Sequence, residues 1–124
     1  MNPIQAAHEQ LTAALSTVDG CRVYGLGDSI APPGLVVGAP RLAWDAYNTG
    51  GMPTSATFPV FLVVGFAERT LPELYELVPV VAQAIETTDA TIAGANPGTY
   101  VGANTELPAY TFDADFPLTQ EMGA

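Results

Sequence analysis

The chain has no lysine, and its only cations besides one histidine are Arg22, Arg41 and Arg69, set against thirteen acidic residues for a net charge of −10. Three scattered guanidinium groups do not make the clustered basic footprint that grips nucleic-acid phosphates, and an anionic membrane surface repels such a chain for the same reason. Cysteine is nearly absent. Cys21 stands alone, so no intrachain disulfide can form, and with His8 the single histidine no zinc-ligand spacing exists. A core-held, intracellular protein is the expectation. Long apolar runs are missing too: the longest, FPVFLVVGFA (58–67), is about half the roughly 20 residues that span a bilayer. The N-terminal MNPIQAAHEQ lacks the basic and apolar regions of a secretory signal.

What is present points to one folded unit. A length of 124 residues suits a single domain over 1–124, and 48% apolar residues with only 13% charged suit a packed core. Twelve Gly and eleven Pro predict many turns.

Asn2 is a good N-cap and Pro3 sits at the favoured first helical position. Ile4, Ala7, Leu11, Ala14, Leu15 and Val18 then recur at helical spacing, with Gly20 as a stop signal. CRVYG (21–25) has the β-branched and aromatic character of a short strand. LGDSIAPPG (26–34) breaks regular structure at its proline pair, after which GLVVGAP and RLAWDAY read as strand, turn and strand. The polar, glycine-containing DAYNTGGMPTSATFP (45–59) reads as a long loop. The apolar run from Phe58 reads as a central strand covered on both faces.

Thr70-Leu71-Pro72-Glu73 has the form of a capping box opening a second helix, with Leu74, Leu77, Val78, Val81, Ala82 and Ile85 as its stripe. Pro79 inside it removes one backbone hydrogen bond and predicts a bend, and the helix is expected to end near Thr87 or Thr88. ATIAGANPG reads as turn-rich and TYVGAN as a strand start. PAYTFDADFPL alternates Tyr110, Phe112, Ala114 and Phe116 with Thr111, Asp113 and Asp115, a half-buried final strand. The order predicts an α+β domain, with two helices packed on a mostly antiparallel or mixed sheet.

Catalytic patterns are weak. Asp113 and Asp115 share one strand face, which any solvated strand shows. Gly25-Leu26-Gly27 follows a strand, but the third glycine of a dinucleotide loop is missing and Pro32-Pro33 stand where its helix would begin. His8 has no nucleophile or acid at a recognisable spacing and reads as a boundary histidine. Cys21 reads as a small core residue of a strand. Trp44 and Tyr47 read as core or interface anchors. No catalytic, cofactor or metal residue is assigned, and the protein is not expected to be an enzyme.

The arrangement of elements resembles the tail terminator proteins of long-tailed bacteriophages. The features that carry this are the N-terminal helix, CRVYG with the following Pro-Pro loop, the hairpin GLVVGAPRLAWDAY, the polar loop, FPVFLVVGFAER, the helix TLPELYELVPVVAQAIE and the strand PAYTFDADF. They span nearly the whole chain without a catalytic or ligand motif. The resemblance implies a structural virion protein, assembled in the host cytoplasm and placed at the head-proximal end of the tail. It implies a homo-oligomer, a ring of six copies that caps the tail-tube protein, stops tube growth and receives the head-to-tail adaptor protein. DNA would pass through the channel without specific binding, and no membrane is involved.

An acidic chain suits such a channel, since like charges repel. It suits plain solubility equally. Long loops in small domains tend to be functional, so 48–57 is expected to act as an arm that orders against a neighbouring ring. The candidate assembly contacts are Trp44, Tyr47, Asn48, Thr49, Gly50, Gly51, Met52 and Pro53, with Arg41 and Arg69 as bridges to carboxylates of an adjacent subunit. The second helix and Asn96-Pro97-Gly98 are candidates for the opposing patch. The alternatives are another head-to-tail connector or tail-tube component, or a small non-enzymatic binding domain.

Overall fold

The computed structural model describes residues 2–18, 21–25, 34–45, 50–63, 70–102 and 105–118. Helix α1 (Pro3–Leu15) begins as its cap chemistry dictates: the Gln5 N–H donates to Asn2 Oδ1 at 2.9 Å, and Pro3 fills the first turn. It buries Ala7, Leu11 and Leu15 along one stripe. The helix stops three residues before Val18, which still reaches the core through a turn. Hydroxyls accompany that stop: Ser16 and Thr17 donate to the Ala13 and Ala14 carbonyls at 2.7 and 2.6 Å, and Ala14 also accepts the Thr17 N–H at 3.2 Å, so the last turn closes on its own side chains and backbone.

Strands β1 (Arg22–Tyr24), β2 (Gly34–Val37), β3 (Arg41–Ala43) and β4 (Ser55–Val63) follow. Helix α2 (Thr70–Glu86) ends where the sequence predicts, with Thr87 donating to the Ala84 carbonyl at 2.6 Å. It runs through Pro79, which is exposed, so the missing hydrogen bond falls on the solvent side. The capping box at its start involves the side chains of Thr70 and Glu73, which lie outside the described ones. Strands β5 (Thr91–Gly102) and β6 (Thr105–Pro117) complete the fold.

The result is α+β: two helices on one face of a six-stranded mixed sheet of order β1-β2-β4-β6-β5, with β3 also paired to β4. Only β1 and β2 pair in parallel among the described strands. The main core joins Leu11 and Leu15 of α1 and Val81 and Ile85 of α2 to Leu35, Phe58, Val60, Leu62, Phe112, Ala114 and Phe116 of the sheet. Phe58 meets Phe116 edge to face at 5.7 Å, and the His8 ring lies 5.9 Å from Phe58. Each fully buried side chain of this kind contributes about 1.5–3 kcal/mol.

Four local expectations are corrected. First, β2 and β3 do not pair with each other as a hairpin. Both lie along β4, with Val37 opposite Val60 and Arg41 opposite Thr57, so three residues (38–40) face two and the strand is interrupted by a bulge. Pro59 explains the interruption: it has no N–H to offer this side, and its carbonyl takes the Gly38 N–H at 2.8 Å. A glycine is required at 38, because a Cβ there would sit 2.8 Å from Pro59 Cγ and 3.2 Å from the Phe61 ring.

Second, Ser55, Ala56 and Thr57 belong to β4, so the loop before it ends at Thr54 and the expected arm 48–57 is partly strand. Third, β4 is covered on both faces only near its end. Ala56, Phe58, Val60 and Leu62 are buried under the helices, whereas Ser55, Thr57, Pro59 and Phe61 are half-buried and Val63 is buried. On this second face Val63 joins Val36, Tyr100 and Ala109 in a small cluster, with Tyr24 and Phe61 packed against it.

Fourth, the turn-rich stretch after α2 is a continuous strand, β5, despite Gly94, Pro97 and Gly98. An edge position makes this possible. Backbone direction alternates from Pro59, whose carbonyl faces Gly38: Val60 and Phe112 turn toward each other, as do Thr111 and Asn96, so Pro97 turns outward where no strand of the described sheet needs its N–H. A bulge between Ile92 and Gly94 absorbs the remaining irregularity.

Candidate functional site

The 44–54 connection between β3 and β4 is built on Thr54. Its N–H donates to the Ala43 carbonyl at 2.8 Å and its hydroxyl to the same carbonyl at 3.1 Å, while the Asp45 N–H donates to that hydroxyl at 2.9 Å. Its carbonyl takes the Leu118 N–H at 2.8 Å, which ties the loop base to the end of β6. Above this base Trp44 stays 54% exposed, and its Nε1–H donates across the loop to the Gly51 carbonyl at 3.2 Å. Gly50 and Gly51 hold φ of 71° and 88°, a left-handed pair that side chains resist. The described part of the loop is therefore an organised platform for an exposed indole.

The remaining expected contacts distribute unevenly. Gly50 and Gly51 are exposed, Met52 is half-buried and Pro53 is buried. Tyr47, Asn48, Thr49 and Arg69 lie outside the described residues. Arg41 is exposed on β3, and the register sets it in one row with Thr57, Asp115 and Thr91 on the face opposite the helices. In that row the Thr57 hydroxyl donates to Asp115 Oδ1 at 3.1 Å. Arg41 and Asp115 are two strands apart, about 10 Å at the backbone.

The residues weighed for chemistry are not gathered into a site. Asp113 and Asp115 are half-buried on that second face, His8 is exposed against Phe58, and Cys21 is buried ahead of β1. Gly25 follows β1, while Leu26 and Gly27 lie outside the described residues. No group of three or more His, Cys, Asp or Glu among the described residues is placed to hold a metal ion. No helix among them is long and apolar enough to cross a membrane.

Two surface features escaped the sequence reading. The ladder of β4 with β6 ends at Val63 opposite Ala109, yet β5 and β6 stay paired from Thr99 opposite Pro108 to Gly102 opposite Thr105. This distal hairpin extends past the described end of β4 and carries Val101 at 69% exposure. Gly102 and Asn104, turn formers between Tyr100-Val101 and Leu107, were the available signal. The other feature is an open depression of about 480 Å³ between the end of α1 and α2, lined by Thr17, Val18, Leu77, Val80, Gln83, Ala84 and Thr87. Beside it Val80 is 45% exposed, and Tyr75 on the same helix is 63% exposed.

No protein-family model matches the chain, and no curated protein matches it.

Proposed function

We propose that the chain is a structural assembly protein of the tail-terminator kind, a ring-forming subunit that caps a phage tail tube and offers a docking surface to the head-side connector. One observation carries this reading. Among the described residues the large exposed apolar side chains stand on ordered projections and an outer helix face, with Trp44 on the Thr54-based loop, Val101 on the distal hairpin, and Tyr75 and Val80 on α2. Such a distribution suits contacts with several neighbours, because exposed apolar and aromatic anchors mark interfaces. A net charge of −10 adds to it, since an acidic channel wall lets DNA slide without sticking.

The order of helices and strands that carries the resemblance also supports the reading, apart from the hairpin, which the fold replaces by β2 and β3 one after the other along β4. The test is electron microscopy of the concentrated protein, together with capping of purified tails. Closed sixfold rings that cap tails are the expected result, and Trp44→Ala is expected to fold and lose capping. Filaments instead of rings would favour a tail-tube component. A persistent monomer that fails to cap would favour the second reading, a small non-enzymatic binding domain, for which the partly apolar depression beside Val80 is the supporting observation.

A further inference from the structure

The open depression between the end of α1 and α2 is apolar along Val18, Leu77 and Val80 and polar at Thr17, Gln83 and Thr87. Its electrostatics are one-sided. Neither helix contains lysine or arginine, whereas together they carry Glu9, Glu73, Glu76 and Glu86. Glu76 is exposed and lies one turn before Val80, on the ridge that continues through Gln83 to Thr87. Thr17 follows the end of α1 and Thr87 follows the end of α2, so the negative ends of both helix dipoles border the depression. Neither last turn holds a basic residue to offset them. The described part of the sheet supplies no cation either. Arg41 lies on the face opposite the helices, and Arg22 alternates with Val23, which packs against the main core, so Arg22 belongs to that opposite face as well.

We propose that this groove docks a basic amphipathic segment of a partner protein, with apolar side chains against Leu77 and Val80 and lysine or arginine at Glu76 and the two helix ends. Charge and surface together select that occupant. Nucleic acid and an anionic membrane bring the wrong charge, and a second copy brings three arginines against thirteen acidic residues. A bare polyamine has the right charge but leaves the apolar wall wet. Long cationic side chains fit both parts, because their stems lie along apolar surface while the charged head stays at the rim. The volume of about 480 Å³ is that of a ligand site, which spans roughly 300–1,000 Å³. The groove stands apart from the ring reading, since a ring subunit and a lone binding domain could use it alike.

The test is titration with a synthetic amphipathic helical peptide of leucine and lysine, followed by amide NMR at about 0.15 M ionic strength, where distant surface charges are screened. The amides of Thr17, Val80, Gln83 and Thr87 are expected to shift while those of the distal hairpin stay in place. Glu76→Lys is expected to weaken binding at least about fivefold. Glu106→Lys changes the net charge equally but sits opposite Val101, about 30 Å along β5 from Thr91, and is expected to weaken binding less than about twofold. Val80→Ser keeps the charge, removes part of the apolar wall and is expected to weaken binding about threefold or more. Should Glu76→Lys not fold, the shift map and Val80→Ser decide. A peptide with glutamate in place of lysine is expected not to bind. Equal weakening by Glu76→Lys and Glu106→Lys, or shifts spread over the whole surface, would reduce the effect to general attraction by an acidic chain and overturn the proposal. Absence of binding at millimolar peptide would overturn it too. Rings that cap tails without groove binding would sink the groove and keep the ring reading, and groove binding by a chain that never caps would do the reverse.

Discussion

β4 and β5 are both strands of the same sheet and both contain proline, yet they are held in opposite ways. β4 is gripped on three sides, by β2 and β3 along one edge, β6 along the other, and the helices above Ala56, Phe58, Val60 and Leu62. β5 pairs with β6 alone, and its described side chains anchor it at two points. Ile92 packs against the main core, and Tyr100 is buried in the second cluster with its ring 5.1 Å from Phe61. Each proline lies where its missing N–H is harmless, at the bulge beside β4 and on the outer edge of β5. The difference teaches that a strand laddered on one side only stays in the sheet when apolar side chains anchor it, as Ile92 and Tyr100 do for β5.

The comparison can be broken most severely at the centre of β4. Phe58→Ala removes a fully buried ring that touches Phe116 and is expected to cost about 3–5 kcal/mol, read as a lower denaturant midpoint. Tyr100→Ala is expected to cost less, roughly 2–3 kcal/mol, and to act locally. Amide exchange should accelerate across 97–102 and 105–109 while the α1 amides keep their protection. Uniform acceleration would show that the distal hairpin is no separate unit.

Gly38→Ala sharpens the role of the bulge. The new Cβ meets Pro59 Cγ at 2.8 Å, and since that atom belongs to a ring in the central strand, a cost of about 1–3 kcal/mol is expected in thermal unfolding. Thr99→Ala on β5 should change stability by no more than about 0.5 kcal/mol, because the side chain is exposed. A larger loss would mean that β5 depends on that side chain as well as on its ladder.

The start of α1 and the end of α2 were legible because their signals are local, whereas the stop of α1 at Leu15 came earlier than the stripe to Val18 and the stop signal at Gly20 had indicated. The Asn2 cap, Pro3 and the hydroxyls that follow each helix act within a few residues. The β6 face was equally readable, since Phe112, Ala114 and Phe116 alternate with Thr111, Asp113 and Asp115. Strand partners were not. The residues of β2 and β3 suit a hairpin with each other as well as pairing with β4, and nothing nearby in the chain tells the two apart. Gly94, Pro97 and Gly98 pointed to turns because propensity averages over all positions, whereas an edge tolerates what a central strand does not. Of the candidate contacts, Trp44 is exposed and not in the core, and its bond to Gly51 and the Thr54 base join residues that only the folded loop brings together.

The sequence by itself determined the acidic balance, the two helices with the Asn2 cap of the first, the existence of most strands and the α+β class, because periodicity, capping and composition are properties of neighbouring residues. Tertiary structure alone decided which strands pair, that the sheet breaks at Gly38 opposite Pro59, that a neutral twelve-residue strand forms its edge, and that a hairpin runs past β4. Those outcomes depend on hydrogen bonds and packing between residues far apart in the chain, where a two-residue period fits many partners and only the filling of one common core selects among them.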